Sequence, residues 1–401
     1  MNEVIVLYYR LQNLGINIYL RNRPQNGNNL FRNPYFKYER HNDPIDLIKK
    51  NISEQLFNRI FRIPKEMFLE LLDAVTQSEQ ARKAAHIKEG RPTISLSIKL
   101  GCFLVYVGRD PNYLNCGLIF GISEQSAKQA NNRIAEVLFR HYESLMKLPR
   151  TYDELNDKKM EFNQVGLFSH CVGAIDGCHF PIGITNAIDT TSLYNHKGFY
   201  SLNSIVVVDA KCCFMGAELG LPGCRHDSHW MHNSFISTWL QSLPSGYFIV
   251  GDNGFTLTSK LLIPYDSGQL IYNASGRSPY NYWLSVARVR SEMAFGLLKR
   301  KFAFLRFPSM INKSTHVFLT KVCMLLHNLY FRKYCPSTID MEWEQLDNEM
   351  TLRDRFWIDL TDSANVNVID IEMYTDDRDK AKLFRRMDTR YIFELNQSSS
   401  T

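Results

Sequence analysis

The sequence predicts a mixed α/β chain in which an all-helical region precedes an α/β domain. From Leu47 to about His141, apolar residues recur every three to four positions, the period of a helix packed on one face. After about residue 165 the apolar runs are short, rich in β-branched residues and bounded by Gly, Pro, Asn and Asp, which is typical of strands. Helical periodicity returns at Tyr282–Phe304 and His316–Tyr334, which favours helices flanking a sheet.

The composition excludes several protein classes. Of 401 residues, 45% are apolar and 22% charged, as in globular proteins, so wholesale disorder, a collagen-like chain and a coiled-coil rod are excluded. No apolar run approaches the roughly 20 residues that span a bilayer, so we expect no membrane segment. The start lacks the basic region and small-residue cleavage site of a signal peptide, and the nine cysteines never occur as CxxC. We therefore expect reduced thiols inside the cell.

The net charge of +6 is unevenly distributed. Between Asp340 and Asp379 there are thirteen acidic and three basic residues, a net charge of −10, which leaves +16 for the rest of the chain. We expect an acidic C-terminal extension at 336–401 and a basic body that fits a polyanion. A tail that only aids solubility is the alternative for the acidic segment.

The first half of the chain divides into three segments. Residues 1–50 are polar and rich in Asn and Arg, and Pro24, Gly27 and Pro34 interrupt any period, so a loosely ordered basic arm is predicted. Residues 51–150 read as a helical region. Lys147–Glu161 reads as a polar linker to the second domain.

Residues 113–141 are a candidate DNA-binding helix-turn-helix. Gly121 and Ile122 form a turn, and Ser123 is a favourable N-cap for the next helix. One stripe of that helix is apolar, and the other faces carry amide and basic side chains that suit a major groove, namely Gln125, Lys128, Gln129, Asn132 and Arg133. A helical hairpin packed in the core is the alternative.

Three acids are placed where a strand or a helix would hold them rigidly. Asp176 lies inside the strand-like run VGAIDGCHFPIGI, where a charge is costly unless it is paired or bound to a metal ion. Asp252 ends the run YFIVGD, and strand ends in α/β sheets are where ligands bind. Glu292 is in the middle of a predicted helix, four residues after Arg288, which can pair with it or reach DNA.

A fourth acid, Asp227, lies in the Gly- and His-rich loop PGCRHDSHW. Carboxylate oxygens suit hard cations such as Mg²⁺. Two such ions about 4 Å apart can assist both the attacking and the leaving oxygen of a phosphodiester. Acids on a first strand, a later strand end and a following helix give this geometry in ribonuclease H-like folds. Each acid alone could equally be a turn former, a cap or an ion-pair partner.

Two further features allow other interpretations. Cys224, His226, His229 and His232 have the residue types of a zinc site, although Asp227 lies within the same segment. Lys197 and Tyr200 in NHKGFYS could contact phosphate or simply begin a strand.

Five segments in order resemble the PIF/Harbinger superfamily of DDE transposases and the Harbinger transposase-derived nucleases. They are GAIDGCHFPI, YNHKGFYSLNSIVVVDA, GCRHDS, GDNGFTLTSKLLIPY and the pattern N-x-x-LS-x-AR-x-x-x-E-x-x-FG-x-LK-x-x-F from Asn281 to Phe302. Together they span about residues 165–330. The resemblance implies a ribonuclease H-like nuclease domain at 165–335, made of a mixed sheet with flanking helices.

The resemblance also implies a function and a set of site residues. Asp176, Asp252 and Glu292 would be the catalytic acids, and with Asp227 they would hold Mg²⁺ or Mn²⁺ for hydrolysis of DNA, followed by strand transfer in an active transposase. It implies a nuclear location, with the cytoplasm left open, and a Myb-like partner protein besides DNA; a homo-oligomer also stays open. The alternative function is a domesticated DNA-binding adaptor without catalysis.

Overall fold

The computed structural model describes residues 43–83, 94–166, 168, 170–184, 190–224, 234–266 and 277–335. They form two compact units, one that runs to Tyr142 and includes Lys301–Phe304, and one made of Glu143–Arg300 and the residues from Leu305 onward. No helix in these ranges is long and apolar enough to cross a membrane. The predicted acidic extension and residues 1–42 of the predicted arm lie outside the described ranges.

The first unit is helical. The described helices are α1 (Pro44–Lys49), α2 (Glu54–Phe61), α3 (Lys65–Lys83), α4 (Leu96–Gly108), α5 (Tyr113–Phe120) and α6 (Glu124–Tyr142). Ser53 and Ser95 cap α2 and α4 through their hydroxyl groups, which accept from the amides of Leu56 and Ile98. Almost every residue of α4 is buried, so this helix is the centre of the unit.

A tight turn joins α5 to α6. Gly121 has a left-handed φ of 63°, which ends α5 at little steric cost. The Ser123 hydroxyl then accepts from the amide of Ser126 and starts α6. A Cβ atom on Gly117 would lie 2.7 Å from the carbonyl oxygen of Ile122, so the close approach of the two helix ends requires glycine there.

The prediction of a polar linker at Lys147–Glu161 was wrong, because helix α7 (Tyr152–Asn163) occupies most of it. Thr151 and Glu154 form a capping box, in which each side chain bonds the other residue's backbone amide. Leu155 and Phe162, seven positions apart, are buried and fix the helix to the second unit. Two buried apolar residues in a polar stretch were too weak a periodic signal.

The second unit contains a five-stranded mixed sheet. Its strands are β1 (Cys171–Pro181), β2 (Ser201–Val208), β3 (Phe214–Pro222), β4 (Phe248–Val250) and β5 (Leu261–Leu262), in the spatial order β3-β2-β1-β4-β5. The neighbours β1–β2 and β2–β3 are antiparallel, whereas β1–β4 and β4–β5 are parallel. β1 is thus the central strand, with an antiparallel hairpin on one side and two short parallel strands on the other.

Helices cover both faces of the sheet. On one face, Trp239 and Leu240 of α8 (Phe235–Ser242) pack against residues such as Ile175 and Val207 in one apolar core. On the other face lie α9 (Arg277–Lys301) and α10 (Lys313–Leu329). The ring of Phe295 in α9 lies 6.3 Å from that of Phe180 in β1. The predicted α/β class, with a helical region before a ribonuclease H-like mixed sheet and its flanking helices, is confirmed.

Candidate active site

Asp176 lies in β1, and Asp252 lies two residues beyond the end of the neighbouring parallel strand β4. Ala174 of β1 pairs with Val250 of β4, and each acid lies two residues further along its own chain. Because neighbouring strands are about 4.8 Å apart, the two carboxylates lie side by side at one edge of the sheet. This is the carboxyl end of the parallel strands, where α/β proteins bind ligands.

Glycine amides hold both carboxylates. The amide of Gly177 donates to Oδ1 of Asp176 at 2.8 Å, and the amide of Gly254 donates to Oδ1 of Asp252 at 2.9 Å. A Cβ atom on Gly254 would lie 3.1 Å from the same Oδ1 atom. The turn after β4 therefore orients the Asp252 side chain toward the sheet edge with little room for adjustment.

Helix α9 brings the third acid to this edge. The hydroxyl oxygen of Ser291, next to Glu292 in the chain, lies 3.4 Å from Oδ2 of Asp176. The same hydroxyl donates to the carbonyl oxygen of Arg288 at 2.7 Å. Helix α9 therefore passes directly over β1 at Asp176, and Glu292 is close enough to raise the pKa of Asp176.

Negative charge is concentrated around Asp176. Burial, followed by the negative charges of Asp252 and Glu292, raises the pKa of Asp176 to about 8, although Arg288 acts in the opposite direction. An acid whose protonated form is favoured by burial and by acidic neighbours is a group that a cation would ionise. The edge of the sheet therefore has the electrostatics of a cation site.

Arg288 supplies a positive charge within the protein. Its guanidinium group lies 2.6 Å from Oε1 of Glu292, one helical turn away, and both side chains are about one quarter exposed. Of the two roles left open for Arg288, ion pairing with Glu292 is the one that the structure shows.

The structure describes three of the four predicted metal ligands. Within the described ranges, no group of three or more His, Cys, Asp or Glu side chains is arranged to hold a metal ion. Glu292 is turned to Arg288, and Asp227 lies outside the described residues. Of the alternative zinc ligands, Cys224 is described and exposed, whereas His226, His229 and His232 fall outside the described ranges.

The five predicted DNA contacts lie on α6 and differ in exposure. Gln125, Lys128, Gln129 and Asn132 are exposed. Arg133 is half-buried, and its Nε atom donates to Oε1 of the buried Glu79 in α3 at 2.7 Å. In this structure Arg133 joins two helices, and the other four side chains face outward.

Sequence reasoning missed two parts of the site. Ser291 was overlooked because a serine inside a helix carries no signal of its own. The buried side chains of His179, Asn195 and Ser201 form one hydrogen-bonded group near the end of β1. The polar residues of NHKGFYS between apolar runs could have indicated it.

Known families confirm the resemblance inferred from the sequence. Residues 175–328 match the family described as DDE superfamily endonuclease. That range contains Asp176, Asp252 and Glu292.

Individual proteins are also similar to the chain. The chain is 27% identical over 218 residues to a protein of Rattus norvegicus that is named as nuclease HARBI1, covering 53% of this chain and 61% of the relative. It is 24% identical over 310 residues to the protein named ALP1-like of Arabidopsis thaliana, covering 73% of each. The chain thus spans less than two thirds of the rat relative. No solved structure matches.

Most of the central strand, the helix that crosses it and all three acids lie inside the matched range. Residues 175–328 therefore form a DDE superfamily endonuclease domain, and the chain is a homologue of the Harbinger transposase-derived nucleases.

Proposed function

We propose that this chain is a metal-dependent DNA endonuclease whose catalytic acids are Asp176, Asp252 and Glu292. The observation that carries the proposal is the proximity of Asp176 in β1 and Asp252 just beyond the parallel strand β4, with α9 bringing Glu292 near Asp176. These acids come from three separate elements, and burial, followed by the charges of Asp252 and Glu292, raises the pKa of Asp176. A purely structural role would not bring together charges that repel one another.

The donor set fits a hard divalent cation. All three side chains offer oxygen atoms, which Mg²⁺ and Mn²⁺ prefer, and Asp227 is a candidate for a further ligand. When bound, such ions assist attack on the phosphodiester and stabilise the leaving oxygen. For Glu292 to act as a ligand, its carboxylate must leave the guanidinium group of Arg288.

The chain's own residues have distinct tasks in this proposal. The amides of Gly177 and Gly254 fix one oxygen of each aspartate, and the second oxygen of each is the candidate ligand. Arg288 neutralises Glu292 while the site has no cation and is then placed to contact the negatively charged DNA.

Nicking of supercoiled plasmid DNA by the full chain tests this proposal. We expect nicking with Mn²⁺ or Mg²⁺, its loss on addition of EDTA, and a rise in the melting temperature with Mn²⁺ in the absence of DNA. Specific DNA binding without nicking under any of these conditions would overturn the catalytic proposal in favour of a DNA-binding adaptor.

We also propose that the exposed face of α6 contacts DNA. Four amide and basic side chains face outward, while the opposite face of α6 is buried. Replacing Gln125 and Gln129 together by alanine should reduce the preference for sequences selected from a random DNA library about tenfold or more, since one good base contact is worth about 1–3 kcal/mol. Replacing Gln77, an exposed side chain on α3, is the control. An unchanged preference would contradict this assignment.

Three remaining proposals follow from the resemblance: a nuclear location with the cytoplasm left open, a Myb-like partner protein, and strand transfer after cleavage. A homo-oligomer is a further proposal that does not depend on the resemblance. Imaging of the tagged chain, identification of co-purified proteins, assays for joined DNA products and light scattering test them in turn.

A further inference from the structure

A hydrogen-bonded loop lies beside His179 of β1. Asn195 is 2% exposed, and its side-chain oxygen accepts from the amides of Lys197 at 2.9 Å and Phe199 at 3.2 Å. Gly198 completes the turn with a left-handed φ of 84°. Asn195 thus fixes the backbone that carries His196 and Lys197.

The same asparagine connects the loop to His179 on β1. Its Nδ2 atom donates to the hydroxyl oxygen of Ser201 at 2.8 Å, and that oxygen lies 2.9 Å from Nδ1 of His179. Ser201 is fully buried, and within the described part of the chain Nδ1 is the acceptor in reach of its hydroxyl proton. Nδ1 therefore accepts, and the imidazole proton is on Nε2.

His179 is thereby a neutral hydrogen-bond donor with a defined orientation. The residue is 9% exposed, and no partner of Nε2 occurs among the described residues. Burial, then the charges of Lys197, His196 and Lys299, lowers the pKa of His179 to about 3. The imidazole is consequently uncharged at neutral pH, and its N–H group is oriented by Ser201.

Positive groups converge on this donor from two elements. Lys299 of α9 donates from Nζ to the carbonyl oxygen of His179 at 3.2 Å, and its ammonium group lies 5.5 Å from the ring centre of Phe180. The ring of His196 lies 5.8 Å from that of His179. Lys197 is close enough to influence both His179 and Cys178. A neutral donor with two ammonium groups nearby suits an anion.

The position of this cluster separates it from the acids. His179 lies three positions beyond Asp176 on β1, about 10 Å along the strand at roughly 3.3 Å per residue. This odd spacing directs the two side chains to opposite faces of the sheet. The cluster therefore lies at the stretch of β1 that extends past the end of β4 and is separate from the acids.

We infer that His179, Lys197 and Lys299 form a binding site for a backbone phosphate of the bound DNA. The inference rests on the proposed function, and it adds a DNA contact separate from the acids. Lys197 and Lys299 supply charge and His179 supplies a directed N–H group. None of the three reads a base, so the site adds affinity without reading sequence.

The salt dependence of DNA binding tests the inference in EDTA, where cleavage cannot occur. A fluorescent duplex of arbitrary sequence is titrated with the full chain between low and moderate salt. Each phosphate contact contributes about −0.9 to the slope of log affinity against log salt. We expect Lys197→Gln and Lys299→Gln each to reduce the slope by about 1 and the double variant by about 2. The variants Lys197→Arg and Lys299→Arg should keep the wild-type slope.

Lys211→Gln is the matched control. Lys211 is an exposed lysine beyond the far end of β2, roughly 25 Å from Ser201 at ~3.3 Å per residue. The salt-dependence slope of Lys211→Gln should equal that of the wild type. Because Lys299 also makes structural contacts, Lys197→Gln decides the outcome if Lys299→Gln melts early.

The outcomes separate this inference from the proposed function. An unchanged slope for Lys197→Gln, or equal losses for Lys197→Gln and Lys211→Gln, would overturn the phosphate site even if the wild type nicks DNA. Reduced slopes at positions 197 and 299 would support it even if no nicking is found.

Discussion

Asp252→Asn is expected to reduce metal-dependent nicking of DNA by about 100-fold or more. The change removes one of two adjacent negative charges but retains the oxygen that accepts from the amide of Gly254, so the turn should persist. A catalytic metal ion supplies several kcal/mol of charge stabilisation, and each 1.36 kcal/mol corresponds to tenfold in rate. The rate of plasmid nicking at a fixed Mn²⁺ concentration measures the effect.

Asp157→Asn provides a control of identical chemistry at another position. Asp157 is an exposed aspartate on α7 in the same unit and should be dispensable for nicking. Both variants should bind DNA like the wild type in EDTA. Equal nicking by Asp252→Asn and the wild type would remove Asp252 from the catalytic set.

Asp209→Ala is expected to destabilise the second unit by about 3–5 kcal/mol, because it removes the buried partner of the Lys158 ammonium group and the acceptor of two turn amides. Asp209 is 1% exposed, and its Oδ2 atom accepts from Nζ of Lys158 at 2.8 Å. Its Oδ1 atom accepts from the amides of Lys211 and Cys213 in the turn between β2 and β3. Burial lowers the pKa of Lys158, but Asp209 and Glu161 outweigh it and raise the pKa overall.

Urea unfolding separates these contributions. Asp209→Asn retains the turn acceptor and should lose less stability than Asp209→Ala. The control is Lys147→Met, which breaks a 2.6 Å ion pair with Glu154 between more exposed side chains and should change stability by about 1 kcal/mol or less. A small effect of Asp209→Ala, similar to that of Lys147→Met, would contradict the assignment of Asp209 as a buried anchor.

Local features of the second unit could be predicted from the sequence. Asp176 in an apolar run and Asp252 at the end of another are local patterns. The pairing of Arg288 with Glu292 follows from a spacing of four on a helix. Each depends on residues that are close in the chain.

Contacts between distant segments could not be predicted in the same way. The neighbourhood of Asp176 and Asp252 depends on the parallel pairing of β1 with β4, whose strands are more than sixty residues apart. The bond between Arg133 and Glu79 joins two helices whose packing is not specified by any local sequence period. Arg133 has the helix position of a predicted DNA contact, but its guanidinium group pairs with Glu79 instead. Asp227 and most of the alternative zinc ligands lie outside the described residues, so the structure does not test the predictions about them.

The pairing of β1 with β4 has a consequence for how such a chain can change over generations. Burial and the nearby negative charges oppose the ionisation of Asp176, so a charge at this position weakens the fold that carries it. A mutation that neutralises Asp176 would relieve this cost, leave the strand pairing intact and, under the proposed function, abolish cleavage. Loss of cleavage with retention of DNA binding would therefore stabilise the fold, and under the proposed function only selection for cleavage would oppose it.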